Sequence, residues 1–505
     1  MTDSAANRFN LVDEKWIPVA NHGLASLADI FSHSDFSALG GNPIQKIALT
    51  KLLLAIAQAA YTPKDDDDWK MMGAQGMAEK ALSYLQEKRA CFWLYGEKPF
   101  LQMPAIAQAA TIPFGAVSAS VATGNTTLLF QTQHERALTD GEKALLVVEL
   151  GSFALGGKKT DNRVVLTSGY TNKCNDKGRP ATAKPGPSTG FMGFLHTFLV
   201  GSSLMDSLWL NLLTIEQVIS APHLTHGVGI APWEGMPHGE DCSKARELKT
   251  TYLGRLVPLS RFALLTEAGL HYSEGILYPG YAEGGFDLSA AFDFFATKPR
   301  ALWVDPGRRP WRQLTSLLAF LANERKNSFD CYQLRLCLPR ARAVAHSVGV
   351  FSGGLRVSSN AGEQYASGTD DFVESEFLLE SSWLDENWFL KLKTEMAIVE
   401  ELAKHVYGCT MAYFKQQLTE GKDRSSQATT VFWQLAERHF QPLINACGTN
   451  TSEALRPVFA RDALKAYDAH CPRDTARQLD AWAACRPQLG LYLTPNTTLH
   501  PSTHS

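Results

Sequence analysis

The chain has no CxxC pair. Its nine cysteines are scattered and odd in number, so neither a zinc ribbon nor a disulfide framework is expected, and a reducing, cytoplasmic setting fits best. It also lacks any run of about eighteen uninterrupted apolar residues, the length a membrane-spanning helix needs, so no membrane contact is expected. The opening MTDSAANRFN carries no apolar stretch, and no secretory signal is expected. Positive charge is not in excess: 48 Lys and Arg stand against 51 Asp and Glu, with a formal net charge of −3. A free-standing nucleic-acid binder is usually basic. Any contact with nucleic acid must therefore come from local patches, within a larger assembly. The phosphate-binding lysine loop and the metalloprotease helix H-E-x-x-H are missing. No acid/base pair stands out, which weighs against an enzyme, and no cofactor is expected.

What is present is a large core. Hydrophobic residues make up 45% of 505, enough for a large domain with a smaller companion. Pro43 opens a buried helix running to about Tyr61, through IALTKLLLAIAQAA. Four aspartates, Asp65 to Asp68, follow. Consecutive side chains rarely converge on one ion, so they read as the start of a second helix, Asp66 to Lys88. Thr139 and Glu142 are spaced as a capping box for a helix through GEKALLVVEL. The polar trio His134, Glu135 and Arg136 reads as a solvated loop. His223, His226 and His238 have no thiolate or carboxylate partner in a known metal pattern, and no metal is expected there. Residues 251 to 278 read as strands joined at Glu267-Ala268-Gly269, and Tyr332 to Leu338 as another strand.

From Gly151 to Lys184 the chain carries Gly156-Gly157, Gly169 and Gly178, with seven Lys or Arg against two Asp. Glycines let backbone approach a ligand and lysines add positive charge, which suits a phosphate backbone. A solvated lysine-rich loop is the alternative. Beyond about Glu380, helical patterns dominate: Leu390 to Tyr407, Gln427 to Ile444, Ser452 to Ala469 and Pro472 to Cys485. The expected fold is a mixed α/β (α+β) N-terminal domain, residues 1–380, followed by an all-α four-helix bundle, residues 381–505.

Several collinear strings carry a family resemblance. They are Val12-Asp13, Trp16-Ile17-Pro18-Val19, Pro63-Lys64-Asp65-Asp66, Lys98-Pro99-Phe100-Leu101-Gln102 and Gly124-Asn125-Thr126. Further on come Phe351-Ser352-Gly353-Gly354-Leu355-Arg356, Ala436-Glu437-Arg438-His439-Phe440 and Ala466-Tyr467-Asp468-Ala469-His470. Together they resemble the large, CasA-type subunit of the type I-E CRISPR surveillance complex, Cascade. The resemblance implies a non-catalytic antiviral role. The subunit would read the motif beside the target in double-stranded DNA, help open the duplex into an R-loop, and offer a docking surface to the helicase-nuclease. Guide RNA would supply sequence recognition. The implied partners are guide RNA, the other Cascade subunits, target DNA and the helicase-nuclease.

The resemblance also implies sites. Asn125 and Phe130, in the loop Thr123 to Gln131, would contact the 5′ handle of the guide RNA. Gly156, Gly157, Lys158 and Lys159 would approach the minor groove of the motif duplex. Ser358, Ser359, Asn360 and Ala361 would form a projecting turn that wedges into the duplex, with Arg356 at its base. The family's wedge often carries a glutamine. None stands at the matching place, and Gln364 falls too late to be assigned. The CxxC zinc loop of some relatives is absent too. Two other readings remain: a structural subunit of another ribonucleoprotein, and a hydrolase using the polar 130s loop and the 220s histidines.

Overall fold

The computed structural model describes residues 7–119, 137–153, 160–170, 193–324, 328–360, 363–365 and 372–493. The chain divides into two compact units. The first is Met1–Pro310 with Arg325–Glu376, and the second is Trp311–Glu324 with Phe377–Ser505.

The first unit mixes helices with small sheets. Its centre is the helix Pro43–Ala60, whose residues Ile44, Ile47, Leu49, Leu52, Leu53, Leu54 and Ile56 are fully buried. Burial all round fits its lack of a polar face. Asn42 caps it by accepting from Gln45 N at 2.9 Å, and Pro43 takes the first turn, where no N–H is needed. The helix Asp66–Glu87 starts as expected: Asp65 accepts from Asp68 N, and Asp68 accepts from Tyr61 and from Lys64 N. Thr139 and Glu142 form their capping box on the helix Asp140–Ser152.

Three strands build the sheet that matters most here. Ser347–Leu355 runs between His196–Val200 and Phe372–Glu380. Gly349 pairs with Val200 and Gly353 with His196. The two glycines lie inside a buried strand because neighbours come close. A Cβ on Gly349 would lie 2.8 Å from Val200 Cβ, and one on Gly353 would lie 3.2 Å from the Val373 carbonyl oxygen. The hairpin Arg261–Leu265 with Leu270–Glu274 turns near the expected place, Leu265 facing Leu270.

Two expectations fail. Tyr332–Val344 is a helix rather than a strand. Leu334, Cys337, Leu338 and Ala341 are buried at helical spacing, and that periodicity outweighs the local β-propensity. Tyr252–Leu256 is likewise a short helix, capped by Thr251.

The second unit is largely helical. The long helix Glu386–Gln416 packs against Lys422–Glu437, Arg456–His470 and Ala476–Cys485. The helix expected from Gln427 to Ile444 breaks at Arg438-His439, and Phe440–Gly448 continues separately. Trp311 belongs here too, with ring centroids 5.7 Å from Trp433 and 4.8 Å from Phe440. A cut near residue 380 therefore leaves Trp311–Glu324 apart from the helices it packs with. Asp385 caps the long helix at the edge of a cleft of about 820 Å³. On the cleft wall, buried Glu395 accepts from Arg456 Nη2 at 2.8 Å and Ser452 Oγ at 3.0 Å.

One buried acid gives a pH test. Glu149 lies 7% exposed and accepts from Gln45 Nε2 at 2.8 Å. Burial pushes its carboxyl up to about 7, against the pull of the Gln45 amide. A raised carboxyl favours the protonated fold. Its contribution is complete below the usual carboxylate value of 4.5 and is lost as pH rises through about 7. Glu149→Gln is expected to stabilise the chain by about 2–3 kcal/mol at pH 8 and to change little at pH 4.5. Urea midpoints at the two pH values check this; an equal shift at both would refute it.

Candidate nucleic-acid interface

The strand Ser347–Leu355 leads straight into the candidate wedge. Arg356 is exposed. Val357 turns inward and packs on the cluster of Phe194, Phe286, Ala290, Phe292 and Ala301. A two-stranded hairpin follows, in which Ser358 pairs with Tyr365, Ser359 with Gln364 and Asn360 with Glu363. The projecting turn expected at Ser358–Ala361 is thus corrected: Ser358–Asn360 form one arm of a ladder. The connection between the arms is Ala361-Gly362, outside the described residues.

This register changes the reading of Gln364. Counted along the chain it comes too late. Across the ladder it stands opposite Ser359, one pair from the end of the hairpin. A signal was present in the sequence: Ala361-Gly362 separates two short triplets, Ser358–Asn360 and Glu363–Tyr365, and a hairpin folds the second back on the first.

The glycine-lysine loop is framed by fixed ends. Gly156, Gly157, Lys158 and Lys159 lie outside the described residues, as do Asn125, Phe130 and Ala361. On the near side, Phe153 ends the helix Asp140–Ser152, 1% exposed, its ring edge-on to His196 at 5.4 Å. On the far side, Asp161 N donates to the Tyr272 carbonyl at 2.8 Å. The Asp161 carboxylate takes hydrogen bonds from Arg163 and from Ala110 N. The Arg163 guanidinium holds it well below the usual carboxylate range, although partial burial works the other way. Glu240, fully buried, then accepts from Leu166 N and Thr167 N, both at 3.1 Å or less.

A buried polar chain runs from the Pro43–Ala60 helix to the strand His196–Val200. Lys51 Nζ binds Asp287 Oδ2. Asp287 Oδ1 accepts from Ser289 N at 2.9 Å and Ser289 Oγ at 2.7 Å. Ser289 Oγ meets His196 Nδ1 at 2.9 Å, and Lys51 Nζ sits 5.3 Å from the Phe153 ring centre. The chain ties the Pro43–Ala60 helix to the sheet strand His196–Val200 and to the root of the loop. Sequence reasoning passed over Lys51, because a lysine inside an apolar helix gives no hint of where its partner lies.

The histidines of the 220s do not converge. His226 Nδ1 meets Thr250 Oγ1 at 2.7 Å, while His223 packs edge-on to Phe286 at 5.4 Å. Among the described residues no group of three or more His, Cys, Asp or Glu is arranged to hold a metal ion. Among them, too, no helix is long and apolar enough to cross a membrane.

Comparison with known proteins agrees with this architecture. A CRISPR-associated CasA/Cse1 protein from Thermus thermophilus is 29% identical over 231 residues, 43% of this chain and 41% of that relative. The aligned stretch thus spans less than half of the relative's length. The crystal structure of Thermobifida fusca Cse1 superposes with a TM-score of 0.76 at 18% identity, covering 98% of this chain and 99% of that one. A chain from a solved CRISPR RNA-guided surveillance complex gives 0.65 at 15% identity, covering 95% and 99%. These likenesses speak for the fold. The sequence profile of CRISPR-associated protein Cse1 matches residues 10–473, nearly the whole chain. The chain therefore belongs to the CRISPR-associated Cse1 (CasA) family.

Proposed function

We propose that this chain is the non-catalytic large subunit of an RNA-guided DNA surveillance complex, one that recognises the motif beside the target and helps open the duplex. The observation that carries the reading is the hairpin Ser358–Asn360 with Glu363–Tyr365, set at the end of a buried strand and rooted by Val357. A rigid base is what a wedge needs if it is to unstack a base pair rather than bend away. Ser358, Ser359, Asn360, Ala361 and Gln364 form its working end, and Arg356 lies at its base. Gly156, Gly157, Lys158 and Lys159 approach the minor groove, where small residues and backbone read the groove loosely. Asn125 and Phe130 contact the 5′ handle of the guide RNA. In the second unit, Glu386–Gln416, Lys422–Glu437, Arg456–His470 and Ala476–Cys485 serve as a four-helix bundle facing other subunits. The helicase-nuclease docks on the assembled complex.

The test is binding within the reconstituted complex, using duplex with a permitted motif against scrambled duplex. Preference for the motif duplex that vanishes without this subunit is expected. Equal binding to both duplexes would leave only a structural role in a ribonucleoprotein.

A second measurement addresses the loop. Lys158→Ala with Lys159→Ala is expected to weaken duplex binding and to lower the logarithmic salt slope by roughly one for each phosphate no longer neutralised. The seven-to-two excess of basic over acidic residues from Gly151 to Lys184 motivates it. An unchanged slope removes the loop from the DNA path.

A further inference from the structure

Among the described residues Trp303 is the one exposed tryptophan, with 52% of its surface open to solvent. Its backbone is fixed on both sides. Leu302 N donates to the Ala291 carbonyl, and Leu195 N to the Leu302 carbonyl, both at 2.9 Å. Val304 N reaches the Gly193 carbonyl, also at 2.9 Å. Trp303 pairs with Phe194, and its ring rests on the buried Phe194 ring with centroids 4.9 Å apart. A single exposed apolar residue is ordinary on a protein surface. Two further observations set this one apart.

The first is its place. Ser347–Leu355 runs antiparallel to His196–Val200, with Gly349 opposite Val200 and Gly353 opposite His196. The Leu355 end of that strand therefore lies toward Phe194, and the hairpin of Ser358–Asn360 with Glu363–Tyr365 follows from the same end of the sheet. Val357, at the root of the hairpin, packs on the cluster that contains Phe194 and Ala301. Ala301 and Trp303 are two residues apart in an extended segment and so share a face. Trp303 and the hairpin root thus border one cluster.

The second is charge. Residues 298–309 carry Lys298, Arg300, Arg308 and Arg309 against Asp305 alone. All four cations are exposed, although Arg300 shares its charge with Asp293. The Asp305 carboxylate serves a turn: Gly307 N donates to its Oδ1 and Arg308 N to its carbonyl, each at 2.9 Å. That turn keeps the two arginines close to the tryptophan along the chain.

An exposed aromatic ring among cations suits unpaired nucleic acid, because a ring stacks on any base and cations follow the phosphates. A paired duplex offers no free base face within its stack. Of two parted strands, one pairs with the guide RNA, and its bases stack within that heteroduplex. Free base faces remain on the displaced strand. We propose that Trp303 is a stacking platform for an unpaired base of the displaced DNA strand, with Lys298, Arg308 and Arg309 holding neighbouring phosphates. The inference rests on the duplex-opening function proposed above and adds a hold on the strand once it is parted. The hairpin separates the pair, and the stack on Trp303 opposes its closing.

The test uses the complex reconstituted on guide RNA. Its target is a duplex with a permitted motif, carrying 5-iododeoxyuridine at successive positions of the displaced strand beside the motif. Ultraviolet irradiation joins that base to an aromatic ring in contact with it, and mass spectrometry of the peptides locates the ring. A crosslink to Trp303 is the expected result. Permanganate reactivity in the same samples reports whether the duplex has opened. An opened duplex with no crosslink to Trp303 at any position overturns this inference alone. A duplex that stays closed overturns the duplex-opening function, and this inference with it.

Trp303→Ala should also weaken binding to a target already mismatched beside the motif, where the work of opening is largely met, by about 5–100-fold, the effect of one base stack. An abasic site at the crosslinked position should weaken the parent by a similar factor and leave Trp303→Ala unchanged. Equal losses from the abasic site in parent and variant would make the ring part of the fold and not of the DNA path. Should Trp303→Ala fail to fold, the crosslink in the parent decides alone.

Discussion

Replacing Ser359 and Asn360 together with glycine is expected to leave assembly on guide RNA intact and to cut R-loop formation on fully paired duplex by roughly 10–100-fold. The estimate follows from the work a wedge must do. Unstacking and unpairing the first base pair costs a few kcal/mol, and each 1.4 kcal/mol is about tenfold in an equilibrium. On the proposed function, side chains at the hairpin's end would offset that cost by filling the gap, and compact donors and acceptors would do so without demanding one base. Glycine removes them and loosens the arm that pairs with Glu363–Tyr365. A target already mismatched beside the motif should rescue the variant, because its unstacking cost is largely met in advance. Gln364→Ala should show a smaller loss of the same kind, since Gln364 stands across from Ser359. Permanganate reactivity of unpaired thymines reads the opening directly. Equal reactivity in variant and parent on fully paired duplex would show that this is an ordinary surface hairpin.

Lys51→Met should destabilise the first unit by about 3–5 kcal/mol, the cost of leaving one member of a buried ion pair alone. Lys51 is 0% exposed and Asp287 2%. Removing the ammonium strands a carboxylate that still holds Ser289, and through Ser289 reaches His196. Adding Asp287→Asn should recover a large part of the loss, because an amide is far cheaper to bury than a charge. Burial alone raises the Asp287 carboxyl, but the Lys51 and His196 charges outweigh it and hold it below the ordinary value of 3.8. A depressed carboxyl contributes stability that is complete above that value and is lost as pH falls through the folded one. The parent chain should therefore lose this contribution only under strong acid, and the double variant should lack that part of its acid limb. Urea titrations between pH 3 and pH 7 measure both effects. A Lys51→Met variant as stable as its parent would mean that the pair adds nothing to the fold.

The same buried polar chain predicts a functional echo. Phe153 lies over Lys51 and beside His196, and it is the last described residue before the glycine-lysine loop. Loss of Lys51 therefore acts on the root of that loop as well as on the core.

Local rules set much of this fold. The caps at Asn42, Asp65 and Thr139, the helix starts that follow them, and the turn between Leu265 and Leu270 are all encoded within a few residues. Hydrophobic spacing fixed the helical character of the region beyond Glu380, and collinear strings from Val12 to His470 carried the family. Sequence alone did not settle features that depend on residues far apart in the chain. Tyr332 to Leu338 read as a strand, and only the packing of its buried stripe made Tyr332–Val344 a helix. Trp311 gave no sign that its partners are Trp433 and Phe440. Gln364 came opposite Ser359 only through a cross-strand register, and Lys51 acquired its meaning from a carboxylate 236 positions away. Caps and periodicity act through neighbours in the chain, so one sequence displays them. Ladders and buried charge pairs are chosen by the closing of the core, where desolvation makes each unpaired group costly and only the folded chain supplies its partner.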